Sequence, residues 1–196
     1  MVSSSLKSFY ARNRKAWRKW LEKNHSKSQG VWLIYYKKSS GKERLEYSDA
    51  VEEALCFGWI DSTIRPIDHE RYMQRFTPRK AKSGWSALNK RRIEKMIKQN
   101  LMTRAGLEKI EEAKKSGAWE RLDHIEALQL PEDFEKALAK NKKAKINFEN
   151  FPQFTKKQFL YRINSAKRPE TRKERIKLLV KMAAVNKKPS IEGFKL

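Results

Sequence analysis

The chain has 196 residues, of which 46 are Lys or Arg and 23 are Asp or Glu, so its formal net charge is +23. This length allows one domain or two small ones, and the six Trp, six Tyr and nine Phe argue against a disordered chain. The single cysteine excludes an internal disulfide framework, and no apolar run approaches the ~20 residues of a membrane span.

The first residues contain neither an apolar stretch nor a small-residue cleavage site, so we expect no secretory signal. A single cysteine also fits a reducing compartment. We therefore expect a soluble protein that is located in the cytoplasm.

The N-terminal part of the chain begins with a helical pattern. Phe9, Trp17 and Leu21 recur at helical spacing and predict a first helix over 8–24. The apolar run 31–36 is rich in β-forming residues and predicts a strand. A helical element is therefore expected to come first in the chain.

Local signals then predict three more helices in this part. Apolar spacing predicts a helix over 49–57, and Gly58 ends it. Ser86 and Thr103 are the predicted N-caps of two helices that follow.

Two strands are predicted between these helices. Residues 59–65 alternate in character and predict a half-buried strand, with Trp59, Asp61 and Arg65 on one face and Ile64 on the other. The segment 70–77 is expected to pair with it after a short turn.

From about residue 120 the pattern is helical throughout. Pro131 and Pro169 mark helix starts, and Thr155 opens a predicted capping box. We therefore predict the α+β class, with a small antiparallel sheet packed with helices over 1–122 and an all-helical C-terminal unit over 128–190.

Side chains able to bind an anion concentrate between residues 56 and 92. Arginine forks, a helix N-terminus and stackable tryptophans together favour an anionic or aromatic ligand. The predicted ligand-binding residues are Trp59, Asp61, Arg65, Arg75, Arg79, Ser83, Trp85, Ser86 and Asn89.

Each of these residues has a predicted role. Arg75 and Arg79 take the negative charge, Asp61 orients an arginine or accepts from the ligand, and Trp59 or Trp85 stacks. The serines and Asn89 supply hydrogen bonds. The alternative is structural: an ordinary ion pair between Asp61 and Arg65, an ordinary helix cap at Ser86, and tryptophans that belong to the core.

Other chemistry has weaker support in the sequence. The apolar neighbours of Cys56 favour a buried, inert thiol. The three His lack metal-ligand spacing and no glycine-rich phosphate loop is present, so we expect neither a metal nor a cofactor. The cations of the second unit form either a phosphate-binding patch or a solvated helix on which Glu170 and Glu174 pair with their neighbours; these cations are Lys167, Arg168, Arg172 and Arg175.

Several motifs resemble the YdeI/OmpD-associated family, also called bacteriocin-protection proteins. They are ALCFGWIDS at 54–62, RFTPR at 75–79, SGWS at 83–86 followed by Asn89, and AKRPETR at 166–172. The resemblance implies a bacterial protein linked to antimicrobial-peptide or stress tolerance, and it supplies no catalytic residue.

Three functions follow from these observations. The first is a binding protein for an anionic or aromatic ligand. The second is a non-specific nucleic-acid-binding protein that uses its whole basic surface. The third is an enzyme that uses Asp61 or His69 as a general base. The sequence leaves the catalytic residues, the ligand and the oligomeric state open.

Overall fold

The computed structural model of the chain describes residues 6–189. The chain divides between Arg121 and Leu122 into two compact units. That these units are separate domains with bounds 1–122 and 128–190 stays a prediction. Residues 1–5, which enter the expectation about a secretory signal, lie outside the described residues, as does the predicted end of the second unit at residue 190.

The predicted fold class is confirmed, since the first unit combines a sheet with helices and the second is helical. The first unit contains β1 (Ser8–Tyr10), α1 (Arg14–Asn24), β2 (Val31–Tyr36), a single 3-10 turn (Lys38–Ser40), α2 (Tyr47–Cys56), β3 (Trp59–Pro66), β4 (Arg71–Pro78), α3 (Ala87–Lys98) and α4 (Arg104–Lys115).

The strands form one four-stranded sheet in the order β1-β2-β4-β3. The pairs β2–β4 and β3–β4 are antiparallel, whereas β1 pairs parallel with β2. The prediction that a helix begins at about Ser8 is wrong, because β1 precedes α1. The Phe9 ring lies 6.3 Å from the Trp17 ring and 5.7 Å from the Trp20 ring. Phe9 therefore packs against α1, although it lies on β1 and not in the helix.

Helices cover one face of this sheet, which we call the inner face. Its residues on the two central strands are buried: Val31, Leu33, Tyr35, Gln74 and Phe76. The Trp17 ring packs against the Phe76 ring, and the Trp17 indole N–H donates to the Ala50 carbonyl at 3.0 Å. Through Trp17, α1 is tied both to the sheet and to α2.

The other face, which we call the outer face, carries the alternate residues of the same strands. Register places on it Tyr10, Trp32, Ile34, Tyr36, Arg65, Arg71, Met73 and Arg75. All of them are partly or fully exposed.

A β-bulge in β3 decides which side chains share a face. Asp61 pairs with Phe76 and Ile64 with Gln74, so three steps along β3 match two steps along β4. The extra residue moves Arg65 to the outer face. The prediction that Arg65 shares a face with Trp59 and Asp61 is therefore wrong, and so is the prediction that Ile64 lies on the opposite face from them. Ile64 is 59% exposed on this edge strand.

The predicted N-caps Ser86 and Thr103 and the predicted end of α2 at Gly58 are confirmed. The Ser86 hydroxyl accepts from the Asn89 backbone N–H, and the Thr103 hydroxyl accepts from the Gly106 N–H. Gly58 follows α2 with a φ of +72°, a conformation in which a side chain would be strained.

The described part of the second unit contains five helices: α5 (Asp123–Glu126), α6 (Glu132–Ala139), α7 (Lys142–Asn150), α8 (Gln153–Asn164) and α9 (Pro169–Ala184). Its core contains Phe134, Phe148 and Phe159. The centre of the Phe148 ring lies 5.3 Å from that of Phe134 and 5.4 Å from that of Phe159. Pro169 begins α9 as predicted. The capping box at Thr155 is wrong, because α8 begins two residues earlier, after Pro152, and Thr155 is buried within it.

None of the helices within residues 6–189 combines the length and the apolar character that a membrane span requires.

Candidate functional site

The carboxylate of Asp61 is the centre of a polar cluster on the inner face. The side-chain amide of Gln74 donates to Asp61 Oδ2 at 2.6 Å, and the Tyr47 hydroxyl donates to the same oxygen at 2.9 Å. Burial and the neighbouring Asp61 carboxylate raise the pKa of Tyr47 to about 12, so its hydroxyl stays a donor at neutral pH. We call this cluster, with Tyr35 and Arg79, the Asp61 site.

Unpaired polar atoms distinguish this cluster from an ordinary hydrogen-bond network. Within residues 6–189, three buried side-chain polar atoms have no partner: Tyr35 Oη, Gln74 Oε1 and Arg79 Nε. Gln74 binds Asp61 directly, and Tyr35 and Arg79 interact with its charge. Because buried polar atoms are nearly always paired, either within the protein or with ordered water, these three atoms offer hydrogen-bonding capacity that the described chain does not use.

Arg79 is the least compensated charge of the Asp61 site. It is 5% exposed, its Nη2 donates to the Gly84 carbonyl at 2.9 Å, and its guanidinium lies 3.6 Å from the centre of the Trp85 ring. No carboxylate of the described residues forms an ion pair with it. Burial lowers the pKa of Arg79 to about 10, and the Asp61 charge opposes this shift. The buried cation would therefore be stabilised by an anion.

Helix α3 adds a second arginine beside Tyr47. The Arg92 guanidinium lies 5.9 Å from the centre of the Tyr47 ring, and its Nη1 donates to Asn89 Oδ1 at 3.0 Å. Asn89 in turn donates its backbone N–H to Ser86, the N-cap. The predicted residues Ser86 and Asn89 thus hold the start of α3, and Arg92 extends from it toward Tyr47.

Sequence reasoning missed four residues of this neighbourhood: Tyr35, Tyr47, Gln74 and Arg92. A signal existed for two of them. Gln74 is a polar residue at an inward position between Tyr72 and Phe76, and Arg92 lies three residues after Asn89, on the same helical face. Tyr35 and Tyr47 come from other elements, and only the tertiary fold brings them to Asp61.

The two predicted tryptophans belong to the core. Trp59 is 1% exposed and donates its indole N–H to the His25 carbonyl at 3.1 Å. Trp85 is 2% exposed, and its ring lies 5.1 Å from that of Trp119. Ser83 is half-buried and closes a turn by donating its backbone N–H to Lys80. Trp85 therefore packs against Arg79, and neither tryptophan has a solvent-exposed ring face on which a ligand could stack.

Arg65 and Arg75 do not join the Asp61 site. Arg75 is the cross-strand neighbour of Trp32 on the outer face, and the Arg65 guanidinium lies 4.7 Å from the centre of the Trp32 ring. The sheet thus separates them from Asp61 and Arg79.

The other residues considered for catalysis or metal binding are Cys56, His69 and the remaining His, Asp and Glu. Cys56 is fully buried, which confirms its predicted burial, and burial raises the pKa of its thiol to about 11, as expected for an unreactive cysteine. His69 is exposed in the turn between β3 and β4. No group of three His, Cys, Asp or Glu side chains within the described ranges is arranged to hold a metal ion.

The basic segment of the second unit makes contacts that neither alternative anticipated. Arg172 forms a two-pronged ion pair with Asp133, at 2.6 and 2.9 Å. Arg175 donates to the Arg162 carbonyl and to the Ser165 hydroxyl. The pairing expected for Glu170 and Glu174 is not seen among residues 6–189.

Two cavities lie away from the Asp61 site. One, of about 770 Å³, is a groove between α6 and α9 with Ile176 and Val180 in its lining. The other, of about 450 Å³, lies beside Trp20 and Gly30. Neither is lined by a residue of the predicted site.

Comparisons with known proteins give two family models and no individual relative. A model described as a domain of unknown function (DUF8412) matches residues 9–109. A model described as bacteriocin-protection, YdeI or OmpD-associated matches residues 127–186. No curated protein matches the chain, and no solved structure does. The predicted family is therefore confirmed over 127–186, whereas the motif at 54–62 lies within the DUF8412 match.

Proposed function

The chain belongs to the family of the domain of unknown function DUF8412 and carries a bacteriocin-protection, YdeI or OmpD-associated region over 127–186, and we propose that it is a binding protein for a small anionic ligand. The ligand binds at the Asp61 site. The single observation that carries this proposal is the buried Arg79 guanidinium, whose Nε donates to nothing in the described chain.

The charges of the site favour an anion over a cation. Arg79 and Arg92 contribute two positive charges, and Asp61 contributes one negative charge. Asp61 already interacts with Tyr47 and Gln74, so it leaves Arg79 only partly compensated. A ligand carboxylate or phosphate would supply the missing negative charge, since guanidinium N–H groups match these anions.

The unpaired neutral groups determine what else the ligand carries. The Tyr35 hydroxyl offers a donor and an acceptor, and Gln74 Oε1 offers an acceptor. The ring of Tyr47, which is 42% exposed, offers an apolar surface at the margin. These groups suit a small planar or aromatic anion, and a hydroxyl or amino group on it would add to the binding that the carboxylate or phosphate provides.

We also propose a compartment and a biological role for this binding protein. A single buried cysteine fits a protein that acts in the cytoplasm. The family name, bacteriocin-protection, suggests that ligand binding serves tolerance of antimicrobial peptides. A role in stress tolerance belongs to the same proposal. An enzyme has less support, because Asp61 Oδ2 already accepts two hydrogen bonds and His69 is exposed in a turn.

Calorimetric titration with benzoate, an aromatic carboxylate, tests the proposal. Arg79→Met removes the buried charge, and we expect it to weaken benzoate binding about tenfold or more, since hydrogen bonds to charged groups contribute about 1.5–3 kcal/mol. Arg75→Ala is the matched control, because it removes one positive charge from the outer face. Its affinity for benzoate should equal that of the unchanged protein.

Two results would contradict the proposal. One is the absence of benzoate binding at up to about 10 mM, weaker than the millimolar affinities of small fragments. The other is equal weakening by Arg79→Met and Arg75→Ala, which would indicate attraction to the overall positive charge and no defined site.

A further inference from the structure

The outer face of the sheet carries apolar side chains that the hydrophobic core does not use. Trp32, Ile34 and Tyr36 alternate along β2 and are each partly exposed. None of them belongs to the core of the first unit or packs against it as a peripheral member. Large aromatic side chains at such positions are typical of interaction surfaces.

Cations lie directly on the aromatic rings of this face. The Arg65 guanidinium is 4.7 Å from the centre of the Trp32 ring, and the Lys42 ammonium is 4.9 Å from that of Tyr36. Trp32 and Tyr36 are four residues apart on one strand, so their Cα atoms are about 13 Å apart. Two stacking positions, each with a cation, therefore lie along β2.

The charge of the outer face is one-sided. Its strand positions include Arg65, Arg71 and Arg75 but no carboxylate. The carboxylates at its margin are already paired, Asp68 with Arg71 and Glu70 with Lys42. In the described part of the chain, Arg65 and Arg75 have no ion-pair partner.

This combination identifies the chemistry of the partner. Unstacked bases pack on aromatic rings and on guanidinium planes, and the phosphates that join them bind arginine. A duplex keeps its bases stacked within the helix and would use only the charges. An acidic protein would likewise use the charges and leave the rings without a role.

We propose that the outer face binds single-stranded nucleic acid, with bases stacked on Trp32 and Tyr36 and phosphates held by Arg65 and Arg75. The proposal is independent of the Asp61 site, which lies on the inner face. The Arg65 guanidinium occupies one face of Trp32 in the free protein, and it turns to a phosphate when a base takes that place.

Fluorescence anisotropy with a labelled dT12 oligonucleotide and a labelled U12 tests this proposal on the full chain. We expect at least one of them to bind more tightly than a 12-base-pair duplex. Trp32→Leu should weaken this binding about tenfold, which is within the range of losses found when a stacking side chain is removed.

The arginines are tested by the salt dependence of binding. In Arg65→Ala/Arg75→Ala, the slope of log K against log[salt] should fall by about 1.4, because each phosphate contact to a single strand contributes about 0.7. The matched control is Lys15→Ala/Lys19→Ala, which removes two exposed charges from α1, on the other side of the sheet. This control should keep the full slope or lose a smaller part of it.

Both arginines are exposed, so we expect their double variant to fold, and circular dichroism checks this. The double variant therefore tests the proposal even if Trp32→Leu fails to fold. Equal slopes in the two double variants would overturn the proposal. So would tighter binding of the duplex, or displacement of the oligonucleotide by polyglutamate at equal charge. Asp61→Asn should leave oligonucleotide binding unchanged, which separates this proposal from the one about the Asp61 site.

Discussion

The guanidinium of Arg79 lies 3.6 Å from the centre of the Trp85 ring, and both side chains are almost fully buried. A buried cation of this kind costs solvation free energy, and its contact with the ring returns only part of that cost. The cost of burying Arg79 is therefore consistent with our proposal that it binds an anion.

Two substitutions at Arg79 separate these roles. Arg79→Met keeps much of the volume and removes the charge, and we expect the free energy of unfolding to stay within about 1 kcal/mol of the unchanged protein. Arg79→Ala leaves a cavity beside Trp85 and should cost about 2–4 kcal/mol. All six tryptophans precede residue 122, so tryptophan fluorescence during urea unfolding reports on the first unit. A loss as large for Arg79→Met as for Arg79→Ala would show that the charge itself stabilises the fold.

Glu53 joins α1 to α2 by a buried charge network. It is 2% exposed, Arg14 Nε donates to it at 2.6 Å and Arg18 Nη1 donates to it at 2.7 Å. Glu53→Ala removes the most buried carboxylate of this network, and Arg14 keeps Glu52 as a partner while Arg18 keeps Glu22. Because a buried pair is broken on both sides, we expect the free energy of unfolding to fall by about 3 kcal/mol. The control is Glu22→Ala, which removes an exposed partner of Arg18 and should cost about 0.5 kcal/mol or less. Similar losses for both variants in urea unfolding would show that the buried network contributes no more than a surface pair.

Gly106 allows α4 to approach the end of α2. The Thr103 hydroxyl and backbone N–H both donate to the Cys56 carbonyl, and a Cβ at residue 106 would collide with that same carbonyl oxygen. Gly106→Ala should therefore cost about 1–3 kcal/mol through overpacking, although alanine favours a helix.

The matched control for this steric effect is Gly41→Ala. A Cβ there meets nothing within 4 Å, and only the φ of +66° disfavours it. We expect about 1 kcal/mol, the cost of moving a residue other than glycine into this conformation. Gly106→Ala that is as stable as the unchanged protein by urea unfolding would contradict the close packing of α4 on α2.

The ion pair between Asp133 and Arg172 makes the second unit sensitive to acid. The Arg172 guanidinium lowers the pKa of Asp133 below its usual value, against the opposing effect of partial burial. In acid the unfolded carboxyl takes up its proton before the folded one does. The stability from this pair is therefore present above about pH 4 and is lost as pH falls through the lower pKa of the folded group.

Asp133→Asn should remove this contribution, about 1 kcal/mol for a partly exposed pair. Differential scanning calorimetry at pH 7 should show a lower Tm for unfolding of the second unit. This transition is recognised because it produces no change in tryptophan fluorescence, since all six tryptophans lie in the first unit. At pH 2.5 the Tm of the variant and that of the unchanged protein should converge. A difference in Tm that persists at pH 2.5 would assign the effect to packing.

Helix ends were predictable from the sequence because a cap is a local interaction. Ser86 and Thr103 each bond a backbone N–H three residues later, so residue type and spacing suffice. Thr155 has the same signature but lies inside α8, since Pro152 starts that helix earlier. A local pattern therefore fails where a neighbouring residue supplies a competing start.

The candidate site was predictable only in part, because its residues come from several elements. Asp61 and Arg79 were found by residue type. The bulge that moves Arg65 away from them depends on how β3 pairs with β4, and sequence alternation carries no sign of it. Tyr35 and Tyr47 reach Asp61 only after β2 and α2 have packed on the same side of the sheet.

The same bulge has a consequence for how the protein behaves in concentrated solution. A sheet with two open edges can recruit strands from other molecules, which leads to aggregation. Here β1 forms one edge and is only three residues long, while β3 forms the other and combines an irregular register with Arg65 and Pro66. Neither edge offers a regular template, so the sheet of a chain this rich in aromatic residues is protected against adding a fifth strand from a neighbour.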